Sequence, residues 1–115
     1  MSVAQVDSVR FAAVTTSATN TTLIAAVAGK SIVVLNACFT ISGTAPAATF
    51  RSGASTLITG AFTGPTAVGS ALMCPLNGSR LSPLFSTAKG ESLDVVLPAA
   101  TLFAGFITYT LEDAQ

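Results

Sequence analysis

Two long stretches of the chain, 31–41 and 102–111, alternate between two kinds of position every second residue, which is the period of a β-strand. In the first stretch Val33, Leu35, Ala37, Phe39 and Ile41 share one face, and Ile32, Val34, Asn36, Cys38 and Thr40 share the other. The first of these faces is wholly apolar and is the expected core side. In the second stretch Phe103, Gly105, Ile107, Tyr109 and Leu111 oppose Leu102, Ala104, Phe106, Thr108 and Thr110. Again one side suits a core, while the other is mixed and only mildly apolar, as a contact between subunits or sheets would use. Gly105, set among good strand formers, predicts a bulge or a close approach of two backbones.

Shorter segments of strand character occupy 9–14, 22–27, 48–51, 56–59, 70–75, 84–86 and 92–97. Turn signals separate them, including Ala28-Gly29-Lys30, Ser42-Gly43-Thr44, Asn77-Gly78 and Lys89-Gly90. Many short strands broken this regularly predict a sandwich or a barrel. No stretch carries a helical period with caps at both ends. The Gly29-Lys30 connection reads as a tight hairpin turn whose lysine discourages edge pairing. The segment 60–69 is the longest expected loop, and its Phe62 either anchors a partner or plugs the end of the sandwich. Residues 1–8 show no strand pattern and are expected to form a flexible arm ahead of one β-sandwich domain at 9–115.

Charge changes the picture more than any other property. Only 9% of the 115 residues are charged, against roughly 25% in an ordinary soluble domain, and half are hydrophobic. A domain this small leaves roughly a third of its unfolded-chain surface in water, so much of its outside must be apolar or weakly polar. Such surface is most simply covered by other protein, including copies of the same chain. A membrane span is not expected, because the uncharged run 52–79 is broken by Gly53, Gly60, Gly64, Pro65, Gly69, Pro75 and Gly78. The first ten residues lack the basic start of a secretory signal, so synthesis in the cytoplasm is expected. Nucleic-acid binding has no support, since Arg10, Lys30, Arg51, Arg80 and Lys89 stand singly.

Catalytic chemistry is equally thin. There is no histidine, and Cys38 and Cys74 lack metal-site spacing; both are expected as free thiols used as small hydrophobes. Gly29-Lys30-Ser31 matches the end of a phosphate-binding loop, but Ile24 stands where its first glycine belongs and a β-branched run follows where a helix is needed. Glu91 and Asp94 are three apart, which places them on opposite faces of a strand, and Glu112 with Asp113 suits a solvated end. No enzyme, cofactor or metal is expected.

The stretch TLIAAVAGKSIVVLNACFTISGTAPAATFRSGASTLITGAF, followed after a loop by LMCPLNGSRLSPLFSTAKGESLDVVLPAATLFAGFITYTLE, resembles small decoration, or cement, proteins of tailed-bacteriophage capsids. The points of likeness are the Gly-Lys turn before a long apolar strand, the TFRSG piece, and the TAKGESL approach to the last strands. The resemblance implies an all-β, jelly-roll-like antiparallel β-sandwich. It also implies a homotrimer on the outside of the virion, bound to the major capsid protein, which it stabilises. The residues expected to face a partner are then Val3, Val6, Val9 and Arg10 in and after the arm, together with Phe62. The alternative is a tail-fibre or spike module that binds a host receptor or glycan.

Overall fold

A computed structural model describes residues 9–43, 46–53, 56–64, 71–79, 82–98 and 101–113. Ten strands run through them: β1 (Arg10–Thr16), β2 (Asn20–Ile24), β3 (Lys30–Gly43), β4 (Ala47–Ser52), β5 (Thr56–Leu57), β6 (Phe62–Thr63), β7 (Ala71–Asn77), β8 (Phe85–Ser86), β9 (Leu93–Val96) and β10 (Thr101–Asp113). All pairings are antiparallel. One sheet has the order β1-β10-β3-β7, with β8 also on β3; the other has the order β2-β9-β4-β5, with β6 also on β4.

The chain path becomes simple once the short strands are merged. β10 occupies one edge of β3 along its whole length, so β7 and β8 share the opposite edge as one interrupted strand. β5 and β6 likewise pair with successive parts of β4. Eight strand positions remain, and they pair first with last, second with seventh, third with sixth and fourth with fifth. Successive pairs alternate between the two sheets. A long hairpin rolled in this way is the eight-stranded jelly roll, and the chain is a jelly-roll β-sandwich.

Each of the nine segments expected to be strands contains a strand, though 25–27 lie beyond the end of β2 and 58–59 beyond the end of β5, and β6 is an addition inside the expected loop 60–69. The expected arm, residues 1–8, lies outside the described residues, as do 65–69 of that loop. The expected Gly29-Lys30 hairpin needs correction. β2 pairs with β9 and β3 with β10, so the segment between them crosses from one sheet to the other. A local turn remains there, closed by the Lys30 amide donating to the Val27 carbonyl at 3.1 Å, with Gly29 at φ 77°.

The core face of β3 also differs from the simple alternation. Ala37, Phe39 and Ile41 are buried as expected, but so are Ile32 and Val34, whereas Val33 is only half-buried. The cause is a β-bulge: Thr108 of β10 pairs with Asn36, and its neighbour Tyr109 pairs with Val34, leaving Leu35 as the extra residue. One inserted residue exchanges the two faces of everything beyond it. Leu35 is buried but lies outside the core cluster. On the other side of β3 the same point is where β7 stops and β8 has not begun, and the Asn36 side-chain carbonyl accepts the Gly78 amide at 3.1 Å.

At the centre of the core, Phe39 stacks on Phe103 with ring centroids 5.0 Å apart and meets Phe50 and Phe62 edge-on at 5.5 and 5.7 Å. Phe50 adds contacts to Phe85 and Phe103. Offset and edge-to-face pairs at these spacings match the ring quadrupoles and fix the two sheets relative to one another.

Candidate interface on the outer face of the first sheet

Paired residues in an antiparallel ladder project to the same side, so the registers identify what each sheet shows to the outside. On the first sheet the outward rows are Phe11–Thr108–Asn36, Ala13–Phe106–Cys38 and Thr15–Ala104–Thr40, followed by Leu102–Ser42. Beyond the bulge the same face continues through Thr110–Val33 to Glu112–Ser31, so the rows from Phe11–Thr108–Asn36 to Leu102–Ser42 are uncharged and Glu112 carries a charge at the far end of the face. On the second sheet the rows are Asn20–Val96–Thr49 and Thr22–Asp94–Arg51–Leu57. That face is polar and carries both signs of charge. Asp94 is buried within its row and accepts a hydrogen bond from the Ser92 hydroxyl at 2.8 Å.

The uncharged rows have an aromatic centre. Phe11 sits diagonally across from Phe106, and their rings stack at 5.4 Å with an interplanar angle of 22°. Phe11 is nevertheless 64% exposed and Phe106 37% exposed. Val9 and Leu102, both exposed, extend the apolar stripe at either end. Cys38 is a free thiol, half-buried on this face, which corrects the expectation of a fully buried cysteine. Cys74 stands opposite Phe39 in the ladder.

Charge is also sorted along the sandwich. Asp7 and Arg80 lie outside the described residues. The remaining charged residues occupy the half in which β3 begins and β10 ends. Lys30 faces Asp113 in the ladder, and their side chains pair at 2.6 Å. The Gly90 amide donates to the Lys30 carbonyl, which places Lys89 and Glu91 at the same end. Arg10 opposite Tyr109, Glu112 opposite Ser31, and Arg51 opposite Asp94 at the beginning of β9 complete the described set. The hydrogen bond from Lys30, reinforced by its charge and by that of Lys89, holds the Asp113 carboxyl below the ordinary aspartate range.

The residues expected to face a partner separate clearly. Val9 and Arg10 are exposed at the start of β1, beside Phe11. Val3 and Val6 lie outside the described residues. Phe62 takes the packing role, since its ring is half-buried against Phe39 and Phe50. Sequence reasoning passed over Phe11, because the run Phe11-Ala12-Ala13-Val14 is apolar on both faces and has no contrast to show which side is out. Phe106 and Leu102 were assigned to the mildly apolar side of their strand, and there they lie.

Among the described residues no two acidic residues stand opposite one another in a ladder. Glu91 precedes β9 and accepts a hydrogen bond from the Ser52 hydroxyl at 2.6 Å, and Ser52 Oγ in turn accepts the Ala88 amide at 2.8 Å. This is a structural clasp between β4 and the turn at 88–91. Among the described residues no three His, Cys, Asp or Glu side chains gather as metal ligands, and no helix is long and apolar enough to cross a membrane. No family model, curated protein or solved structure matches the chain.

Proposed function

We propose that this protein is a structural subunit of a virus particle, a capsid decoration or cement protein that self-associates and binds the outer surface of the shell. The observation that carries this reading is the exposed Phe11–Phe106 stack on the outer face of the first sheet, set among rows from Phe11 to Leu102 that carry no charge. A sandwich with an uncharged, partly apolar area of this kind on one face is suited to covering and being covered. The resemblance of the sequence to phage decoration proteins, and the jelly-roll fold, support the same reading. A cement protein needs contact area and multiple attachment points more than reactive groups, because linked weak contacts add up. The trimer implied by the resemblance is part of the proposal, with the major capsid protein as partner and the exterior of the virion as location.

The test is occupancy. Purified protein mixed with capsids lacking it is expected to sediment with them at a saturating ratio of hundreds of copies per particle, and to raise the temperature at which the shells break. A few copies per virion, together with binding of the purified protein to host cells, would instead identify a tail-fibre or spike module. Failure to bind any particle would remove the reading altogether.

A further inference from the structure

We infer that the outer face of β1 and β10, centred on Phe11 and Phe106, is the surface on which copies of this chain meet one another. This deepens the proposed function by naming the occupant of its apolar face, and it rests on that reading for its biological setting only.

Size is the first argument. A phenylalanine offers roughly 200 Å² of surface, so Phe11 and Phe106 at their observed exposures present about 200 Å² of open ring between them. Val9 and Leu102 extend the stripe into the range of a few hundred Å² at which an exposed apolar patch marks an interaction site. A stable interface covers about 800 Å² on each partner, with an apolar centre inside a polar rim. Ala104 continues the stripe between Phe106 and Leu102, and Thr15, Thr40 and Asn36 flank it with neutral polar groups that suit such a rim.

Electrostatics then selects the occupant. The chain has a formal net charge of zero, and its described charged groups lie at one end of the sandwich or on the other sheet. Two copies that meet through the rows from Phe11 to Leu102 therefore bury no unpaired charge, and Glu112 stays outside the contact at the charged end of the face. A polyanion or an acidic glycan would find no cation among the rows of this face. A copy of the same surface meets it on equal chemical terms.

The edge of the sheet supplies the third argument. β1 is an outer strand, and none of its residues is buried. The other sheet edges carry features that blunt strand pairing: a bulge at Thr22/Ile24 in β2, Pro75 in β7, and the interruption between β5 and β6. β1 runs through Phe11-Ala12-Ala13-Val14 with no proline, and its ladder to β10 is unbroken from Arg10 to Thr16. An edge left open beside an apolar stripe is consistent with cover supplied by another subunit.

Sedimentation velocity of the whole protein across a concentration series, with Phe11→Asp, Leu102→Asp and Leu57→Asp variants, tests this. Leu57 is 61% exposed on the second sheet and is matched to Phe11 in exposure. The wild type is expected to be oligomeric at micromolar concentration. Phe11→Asp and Leu102→Asp should each weaken association at least tenfold while keeping the circular dichroism of the wild type, and Leu57→Asp should leave it unchanged. A wild type that stays monomeric overturns the inference, as does a Phe11→Asp and Leu102→Asp pair that assembles normally, or loss of assembly in Leu57→Asp alone. Capsid co-sedimentation of the same samples keeps the two ideas apart. A monomer that still saturates shells ends the self-association surface and leaves the decoration reading standing.

Discussion

Gly105 offers the sharpest test of how the sandwich is packed. It lies opposite Phe39 in the ladder between β10 and β3, on the core side. A Cβ added there would run into the Cys38 carbonyl oxygen and would lie 2.6 Å from Phe39 Cα and 2.8 Å from Phe39 Cβ. Two of these three neighbours are backbone atoms of a central strand, which cannot swing aside as the tip of a long side chain would. Relief requires β3 and β10 to shift, and Phe39 is committed to its contacts with Phe103, Phe50 and Phe62. Overpacking of a well-filled core costs about 1–3 kcal/mol, and the backbone contact puts Gly105→Ala at the upper end or beyond. Against this stands a gain of about 0.4–1 kcal/mol, because alanine restricts the unfolded chain more than glycine does. The expected net loss is about 2 kcal/mol, a large part of the 5–15 kcal/mol that holds a typical domain together. Urea unfolding followed by circular dichroism measures it, with an unchanged m-value as the check that only stability has moved. Gly60 is the internal control, since an added Cβ there meets nothing within 4 Å and its φ is not in the left-handed region. Gly60→Ala should be neutral or slightly stabilising. If Gly105→Ala matches the wild type, the strands are not packed as tightly as described, and the reasoning fails.

The remaining expectations concern the core, the clasp and the charged end. Phe50→Ala should cost about 3–5 kcal/mol, because the residue is fully buried among four other rings, whereas Phe11→Ala should change the folding stability of the monomer by no more than about 0.5 kcal/mol. Thermal melts at a concentration below assembly would separate the two. Ser52→Ala leaves the Ala88 amide and the Glu91 carboxylate without their partner and should cost about 1–3 kcal/mol in the same urea assay, while Ser52→Thr should recover part of it. Lys30→Met should raise the Asp113 titration midpoint towards the ordinary aspartate value in an NMR pH series. Because folding lowers this carboxyl's pKa, its contribution to stability is present above the unfolded-state value and is lost as pH falls through the folded one. The wild type and Lys30→Met should therefore converge in stability at low pH, and added salt should shrink the difference at neutral pH.

The strands were legible because β-branched and aromatic residues fill them and glycine, proline and asparagine punctuate them. Strand pairing was not, since a register depends on partners far along the chain. The bulge at Leu35 shows the limit well. Ile32-Val33-Val34-Leu35 is apolar at every position, so nothing in that run marks where one face gives way to the other. The decision is made by Tyr109 and Thr108 on the neighbouring strand. Gly105 was the opposite case: a glycine inside a strand of bulky residues already implied close approach, and the structure supplies Phe39 and Cys38 as what approaches. Phe62 illustrates a third outcome, in which a residue in an apparent loop is drawn inward because β6 pairs with Ala47 and Ala48 and brings the ring over Phe39.

The distribution of charge links the fold to the proposed role. In an antiparallel jelly roll every second connection returns to the same end, so turns at positions far apart in sequence become neighbours. The turn at 28–30, the turn at 88–91 and the end of β10 meet in this way, and Lys30, Lys89, Glu91, Glu112 and Asp113 gather there. The same topology leaves the opposite half, from Thr16 and Gly43 to Thr101 and Leu102, without a charge among the described residues. Few ionisable groups, spread evenly, would give a uniformly sparse surface. Collected at one end, they keep that end hydrated and free the outer face of β1 and β10 for contact. In the proposed role, hydration and contact would then occupy different parts of the molecule.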